Sequence, residues 1–144
     1  MKKFFVIFAF FFIWIFSCNT KEDIEPTQTT LVGKWTATGR MQSQNADGTW
    51  SDWYVLETFA AVPVSIWEFT SDGRFLRDGK AGAECCFAGN KYSVSGNEIS
   101  FTDLAKPCMG IFCINCKNWS YKLPDADTLI LDECYVKKEY YRVK

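Results

Sequence analysis

Histidine does not occur anywhere in the 144 residues of this chain. Its absence excludes Ser-His-Asp and Cys-His catalytic groups and every metal site that requires an imidazole ligand. The acidic residues are scattered, without a spacing that marks a general acid and a general base. No cofactor-binding motif is present either, so we expect a protein that is not an enzyme and that has no metal and no cofactor.

The chain also lacks an excess of positive charge. It contains 16 Lys and Arg against 17 Asp and Glu, which gives a formal net charge of −1. No basic patch interrupts this balance, and this argues against nucleic acid as a partner. Helical periodicity is absent as well, whereas aromatic residues make up 17% of the chain. The composition therefore favours a β-structure with an aromatic core.

The sequence contains one long apolar run, which lies at the start of the chain. Lys2 and Lys3 precede the apolar segment Phe4–Phe16, which ends in Ser17-Cys18. A helix of that length covers roughly 20 Å, whereas the hydrocarbon core of a bilayer is about 30 Å thick. The segment is too short to span it comfortably, and it has the layout of a secretory signal peptide. We therefore assign residues 1–17 to a signal peptide.

The end of this signal resembles a bacterial lipobox, in which the cysteine becomes the lipidated first residue of the mature chain. Ile15, Ser17 and Cys18 fit that pattern. Acylation of Cys18 with palmitate-type chains would anchor the protein stably in a membrane. Two or more acyl chains buried in the bilayer give stable anchoring, whereas a single acyl chain does not. The alternative is an ordinary cleaved signal. On the lipoprotein interpretation, residues 18–30 are the lipidated cysteine and a flexible tether.

From residue 31 onward the pattern predicts β-strands throughout. Alternation places Leu31, Gly33, Trp35 and Ala37 on one face of a first strand. Three hairpins follow, around Asp72-Gly73, around Gly96-Asn97 and across 124–127, and a last strand covers 136–143. Short strands joined by tight turns predict an all-β fold for residues 31–144, a small up-and-down antiparallel meander barrel of about eight strands. Part of 51–64 is expected outside the regular barrel.

Six cysteines follow Cys18, an even number that indicates a disulfide framework in an exported domain. These disulfide candidates are Cys85, Cys86, Cys108, Cys113, Cys116 and Cys134. Connections in a meander alternate between the two ends of the barrel, so the three long connections that carry these cysteines share the end opposite the tight turns. A four-thiolate zinc site and a redox pair at Cys113 and Cys116 are the alternatives to disulfides. Fifteen pairings are possible, and the sequence does not choose among them.

The opening Leu31-Val-Gly-Lys-Trp35 resembles the first strand of lipocalins, which carries a Gly-x-Trp motif. The Trp-Glu-Phe-x-x-Asp-Gly-x-Phe and Tyr-x-Val-x-Gly-Asn-x-Ile hairpins make most of residues 31–144 similar to the short lipocalin-like lipoproteins of Bacteroidetes. The resemblance implies a structural role for Gly33 and Trp35. It also implies that a basic residue near the end of the last strand packs across the tryptophan, for which Arg142 is the candidate. An even number of strands would return Arg142 to Trp35.

The resemblance implies an outer-membrane lipoprotein, at the periplasmic face or the cell surface, that binds a small apolar or amphipathic ligand. Seven aromatic residues are the candidates to line a ligand site: Trp67, Phe69, Phe75, Tyr92, Phe101, Trp119 and Tyr121. The alternative is that these rings fill the barrel, because eight strands enclose only enough space for side chains or for one small ligand. The protein would then be an interaction module, an accessory subunit of an envelope complex.

Overall fold

The computed structural model describes residues 31–57, 63–85, 88–106, 109–110 and 116–144. The predicted signal peptide, the tether with Cys18, and the candidates Cys86, Cys108 and Cys113 lie outside the described residues. No helix within these ranges is both long and apolar enough to cross a membrane. The described strands are β1 (Gly33–Ser43), β2 (Tyr54–Val55), β3 (Ile66–Phe69), β4 (Phe75–Arg77), β5 (Lys80–Ala81), β6 (Gly89–Ser95), β7 (Glu98–Leu104), β8 (Asn118–Lys122), β9 (Thr128–Asp132) and β10 (Val136–Arg142).

Nine strands form one antiparallel sheet in the order β5-β4-β3-β1-β10-β9-β8-β7-β6. The sheet nearly closes on itself, because Arg74 beside β4 forms a bridge with Lys91 in β6. The predicted all-β antiparallel barrel is confirmed. The ninth strand, beyond the eight expected, is β5, a two-residue strand that follows β4 through a tight turn at Asp78-Gly79. As expected for part of 51–64, β2 pairs with β1 off this path.

The three predicted hairpins are formed by β3 with β4, β6 with β7, and β8 with β9. Gly73 and Gly96 have φ values of 78° and 58°, which a glycine adopts without steric cost. The turns lie together at one end of the barrel. There the Tyr92 N–H donates to the Gly73 carbonyl, and the Tyr121 N–H donates to the Asn97 carbonyl, at 2.8 and 2.9 Å. We call this end the turn end and the opposite end the cysteine end.

Alternation along the strands fills the interior with apolar side chains. The fully buried ones with the largest volumes are Trp35, Trp119, Tyr140, Phe69, Phe75, Leu31, Ile99, Leu129 and Leu131. These residues come from the beginning and the end of the described chain, because β1 pairs with β10 and brings residue 35 opposite residue 142. The pairing of the first long strand with the last thus gives the described residues a single core.

Candidate functional site

The seven aromatic candidates converge in the interior, but they pack against one another rather than around a deep cavity. Phe75 contacts the rings of Trp67, Phe69, Phe101 and Trp119 at centroid distances of 5.5, 5.1, 5.4 and 6.0 Å. Tyr92 packs edge-on against Phe69 at 5.1 Å, and Tyr121 is buried in the same core. Such edge-to-face contacts leave little free space. Phe69, Tyr92 and Tyr121, which lie towards the turn end, are therefore packed in a filled half of the barrel.

Gly33, Trp35 and Arg142 lie together at the turn end. The Arg142 guanidinium stacks over the Trp35 ring at 4.1 Å from its centroid, and it donates from Nε to the Ala126 carbonyl and from Nη1 to the Val32 carbonyl. A Cβ at Gly33 would collide with this guanidinium. Glycine at 33 thus makes room for the arginine, which covers this end of the barrel.

Free space occurs at the cysteine end, where a bulge in β1 opens the barrel wall. Ala37 pairs with Tyr140, but Met41 pairs with Lys138, so three residues of β1 oppose Glu139 alone. Gly39 lies within the bulge at a φ of 81°. The bulge separates the part of β1 that pairs with β3 from the part that pairs with β2. A pocket of about 280 Å³ lies between these two parts of β1, beside the bulge.

A second pocket of about 210 Å³ adjoins the first. Both are lined by Trp67, Arg77 and Lys138, and the second extends to Trp119 and Glu133. We call the two together the mouth cleft. Pockets for small ligands commonly measure about 300–1,000 Å³, so the mouth cleft suits a small molecule rather than a long chain.

The mouth cleft has apolar walls and a rim of paired charges. Lys138 Nζ donates to Glu133 Oε2 at 2.7 Å, and Arg40 Nη1 donates to Glu139 Oε2 at 3.2 Å. Arg77 forms an ion pair with Glu84. Among the described lining residues, every cation therefore has a carboxylate partner.

Tyr140 and Glu133 form the most deeply buried polar contact of the cleft. The Tyr140 hydroxyl donates to Glu133 Oε1 at 2.7 Å. Burial raises the pKa of Tyr140 well above its ordinary value, and the nearby Glu133 carboxylate raises this pKa further. The phenol therefore stays protonated and remains a donor to Glu133. This pairing fixes one carboxylate oxygen, while Lys138 fixes the other.

Cysteines brace the same end of the barrel. Cys116 and Cys134 form a disulfide across a Cα–Cα distance of 6.1 Å, and Cys85 is also disulfide-bonded. Cys134 directly follows Glu133, and Cys85 directly follows Glu84, so both lie beside cleft residues. The described cysteines hold the connections around the cleft in place.

Sequence reasoning missed the charged residues of the cleft. In the sequence, Glu84 and Glu133 are two of several scattered acids, and the predicted site does not include Arg77, Lys138 or Tyr140. One signal is present, because alternation along β10 places Lys138 on the same face as the buried Tyr140. A lysine on an inward face indicates a buried partner or a functional site.

No group of three or more His, Cys, Asp or Glu side chains in the described part of the chain could hold a metal ion. Comparison with protein-family models, with the curated proteins and with the solved structures gives no match for this chain.

Proposed function

We propose that this chain is a lipid-anchored protein of the bacterial outer membrane that binds a small amphipathic ligand in the mouth cleft, without catalysing a reaction. The observation that carries the proposal is the cleft itself. Apolar rings and paired charges meet there at one end of an otherwise filled barrel. A pocket with mostly apolar walls and a few convergent polar groups is typical of small-ligand sites.

The ligand proposal is tested on residues 19–144 purified from an oxidising periplasm and exposed to an envelope extract. Native mass spectrometry should detect a discrete non-covalent adduct on the wild-type domain. Ser65→Trp should abolish it, because Ser65 lines the larger of the two pockets that form the mouth cleft and an indole there would occupy the space. Ser95→Trp, at an exposed position at the end of β6, is the matched control and should retain the adduct. Equal adducts in the wild type and Ser65→Trp, or none in either, would contradict the proposal.

The membrane anchor rests on the sequence pattern that ends at Cys18. Cells that express the full chain are labelled with an alkyne analogue of palmitate, and their membranes are fractionated. The wild type should carry the label and sediment with outer membranes, because acyl chains on one cysteine supply the anchoring energy. Cys18→Ser should lose both properties. A Cys18→Ser chain that remains labelled and membrane-bound would refute lipidation at this residue.

A second candidate function is an interaction module of the envelope. Its support is a group of exposed apolar side chains in the described residues that precede and follow 58–62 in the chain: Tyr54, Val55, Leu56, Val64 and Ile66. Exposed apolar residues that cluster on a small domain commonly mark a contact with another protein. The filled turn-end half of the barrel agrees with this candidate. The mass-spectrometric test separates the two, since this candidate requires no small-molecule adduct.

A further inference from the structure

The indole of Trp119 contains a hydrogen-bond donor that is unpaired within the described part of the chain. Trp119 is only 2% exposed, and its Nε1 has no acceptor among the described residues. An indole N–H can donate but not accept, and a buried donor without a partner destabilises the folded state. Buried polar groups in folded proteins are nearly always paired. Because Trp119 lines the smaller pocket, a ligand bound in that pocket is a source of the acceptor that the described residues do not supply.

The charges around the cleft limit what that acceptor can be. Its described cations, Arg40, Arg77 and Lys138, are paired with Glu139, Glu84 and Glu133, respectively. A carboxylate entering the smaller pocket would have to displace one of these partners. It would also approach Glu133, which is only 9% exposed and already accepts two hydrogen bonds. Like charges in a partly desolvated site repel strongly.

The walls near Trp119 favour a flat apolar body. Trp67 stacks on Trp119 at a centroid distance of 5.5 Å with an interplanar angle of 25°. Phe75 stands nearly perpendicular to both rings, and all three line the smaller pocket. Aromatic faces and edges of this kind pack well against another ring.

We infer that the mouth cleft selects an uncharged ligand with a flat apolar body and a carbonyl-type acceptor, and that Trp119 Nε1 donates to this acceptor. The inference rests on the proposed function, because it names the ligand class of the same cleft. Trp119 thereby acts as a specificity-determining residue, and the paired charges exclude acids.

Three probes of similar size test the inference on residues 19–144: acetophenone, ethylbenzene and benzoate. They share a benzene ring but carry a neutral acceptor, no acceptor and a negative charge, respectively. Titrations are followed by proton–nitrogen NMR spectra, in which the Trp119 indole N–H has its own resonance. Acetophenone should bind and shift that resonance downfield. Benzoate should bind about tenfold more weakly or not at all.

Trp119→Phe keeps an aromatic ring and removes the donor. It should weaken acetophenone binding by about fivefold or more and leave ethylbenzene binding within about twofold. Trp53→Phe is the matched control, because Trp53 does not line the mouth cleft, and it should change neither affinity. The indole resonance of the wild type tests the inference even where the Trp119 variant does not fold.

The outcomes separate the inference from the proposed function. Benzoate binding more tightly than acetophenone, or acetophenone binding without a shift of the Trp119 resonance, would overturn the inference and leave the small-ligand function standing. Failure of all three probes to bind would overturn both. Binding of acetophenone that survives unchanged in Trp119→Phe would overturn the inference as well, because another donor would then hold the carbonyl.

Discussion

At the scale of single residues, buried hydroxyl and indole groups decide how the aromatic core is oriented. The Tyr92 hydroxyl donates to the Thr70 carbonyl at 2.8 Å, and the Trp35 Nε1 donates to the Leu31 carbonyl at 2.9 Å. Each ring thereby keeps its polar atom paired while its carbon surface is buried. Trp119 lacks such a partner among the described residues, and this difference is what singles it out within the core.

The environment of Tyr92 should make the folded protein less stable at alkaline pH. Burial, followed by the nearby Asp72 carboxylate and Tyr121, raises the pKa of Tyr92 from 10.0 to about 12. Between these values the unfolded chain releases a proton that the folded chain retains, so rising pH favours unfolding. The contribution is fully present below pH 10 and, because solvent screens this half-buried group, declines by about 1–2 kcal/mol as the pH rises towards 12.

Urea unfolding of the wild type and Tyr92→Phe at a series of pH values measures this effect. Near neutral pH the unfolding free energy of the variant should be about 1 kcal/mol lower than that of the wild type, because the variant lacks the hydrogen bond to Thr70. As the pH rises, its unfolding free energy should decline less steeply than that of the wild type. Burial raises the pKa values of Tyr121 and Tyr140 too, so part of the decline remains. Parallel curves for the two proteins would show that Tyr92 does not titrate abnormally.

At the scale of strands, local sequence accounts for the hairpins and distant contacts account for the bulge. Asp72-Gly73 and Gly96-Asn97 supply turn conformations next to alternating strands, so those hairpins are encoded by residues that lie close together in the chain. The bulge in β1 depends on pairing with β10, which lies about a hundred residues later in the chain. A local pattern contains no information about such a register change.

Substitution of Gly89 should strongly destabilise the pairing of β6 with β7. A Cβ at this position would overlap the backbone carbonyl of Thr102 in the neighbouring strand. A backbone atom cannot rotate away as a side chain can, so Gly89→Ala should force the strands apart and cost about 2–4 kcal/mol of unfolding free energy. Denaturant unfolding measures the loss.

Lys91→Ala is the control for this substitution. It lies on the same strand but is exposed, and it should change stability by less than about 0.5 kcal/mol. A Gly89→Ala protein as stable as the control would mean that the two strands are not held as closely as the structure has them.

At the scale of the whole molecule, the two ends of the barrel differ in how they are closed. Arg142 stacks over Trp35 and binds two carbonyls at the turn end. Disulfides and ion pairs brace the cysteine end, where the mouth cleft lies. Covalent bracing beside a binding cleft preserves its shape without filling it, whereas a packed arginine closes the opposite end.

The Cys116–Cys134 disulfide predicts a loss of stability on its removal. The bond joins residues 18 positions apart, and closing a loop of that size in the unfolded chain stabilises the folded state by about 3 kcal/mol. Cys116→Ala with Cys134→Ala should lower the unfolding free energy by about that amount under oxidising conditions. Reduction of the wild type with dithiothreitol should lower its stability at least as far, since Cys85 is disulfide-bonded too. An unchanged urea midpoint in the double variant would contradict a stabilising role for this bond.

The sequence by itself determined the fold class, the three hairpins and the burial of the aromatic residues. These features follow from short-range alternation and turn chemistry, which act between neighbours in the chain. The family resemblance made Arg142 the candidate to pack on Trp35, and an expected even strand count agreed with it. The pairing of β1 with β10 brings the two residues together. The placement of cysteines at one end follows from the alternation of connections in a meander, and the described Cys85, Cys116 and Cys134 agree with it.

Only the tertiary structure decided where free space remains and how its charges are arranged. Two ion pairs, Lys138–Glu133 and Arg77–Glu84, join the barrel wall to its connections. The spacing of these residues in the sequence does not predict that they pair. The mouth cleft exists because a bulge opens one wall while rings of particular sizes fill the rest of the interior. Packing is a property of all the side chains at once. The cleft, and the Trp119 donor that no described residue pairs, therefore became visible only in three dimensions.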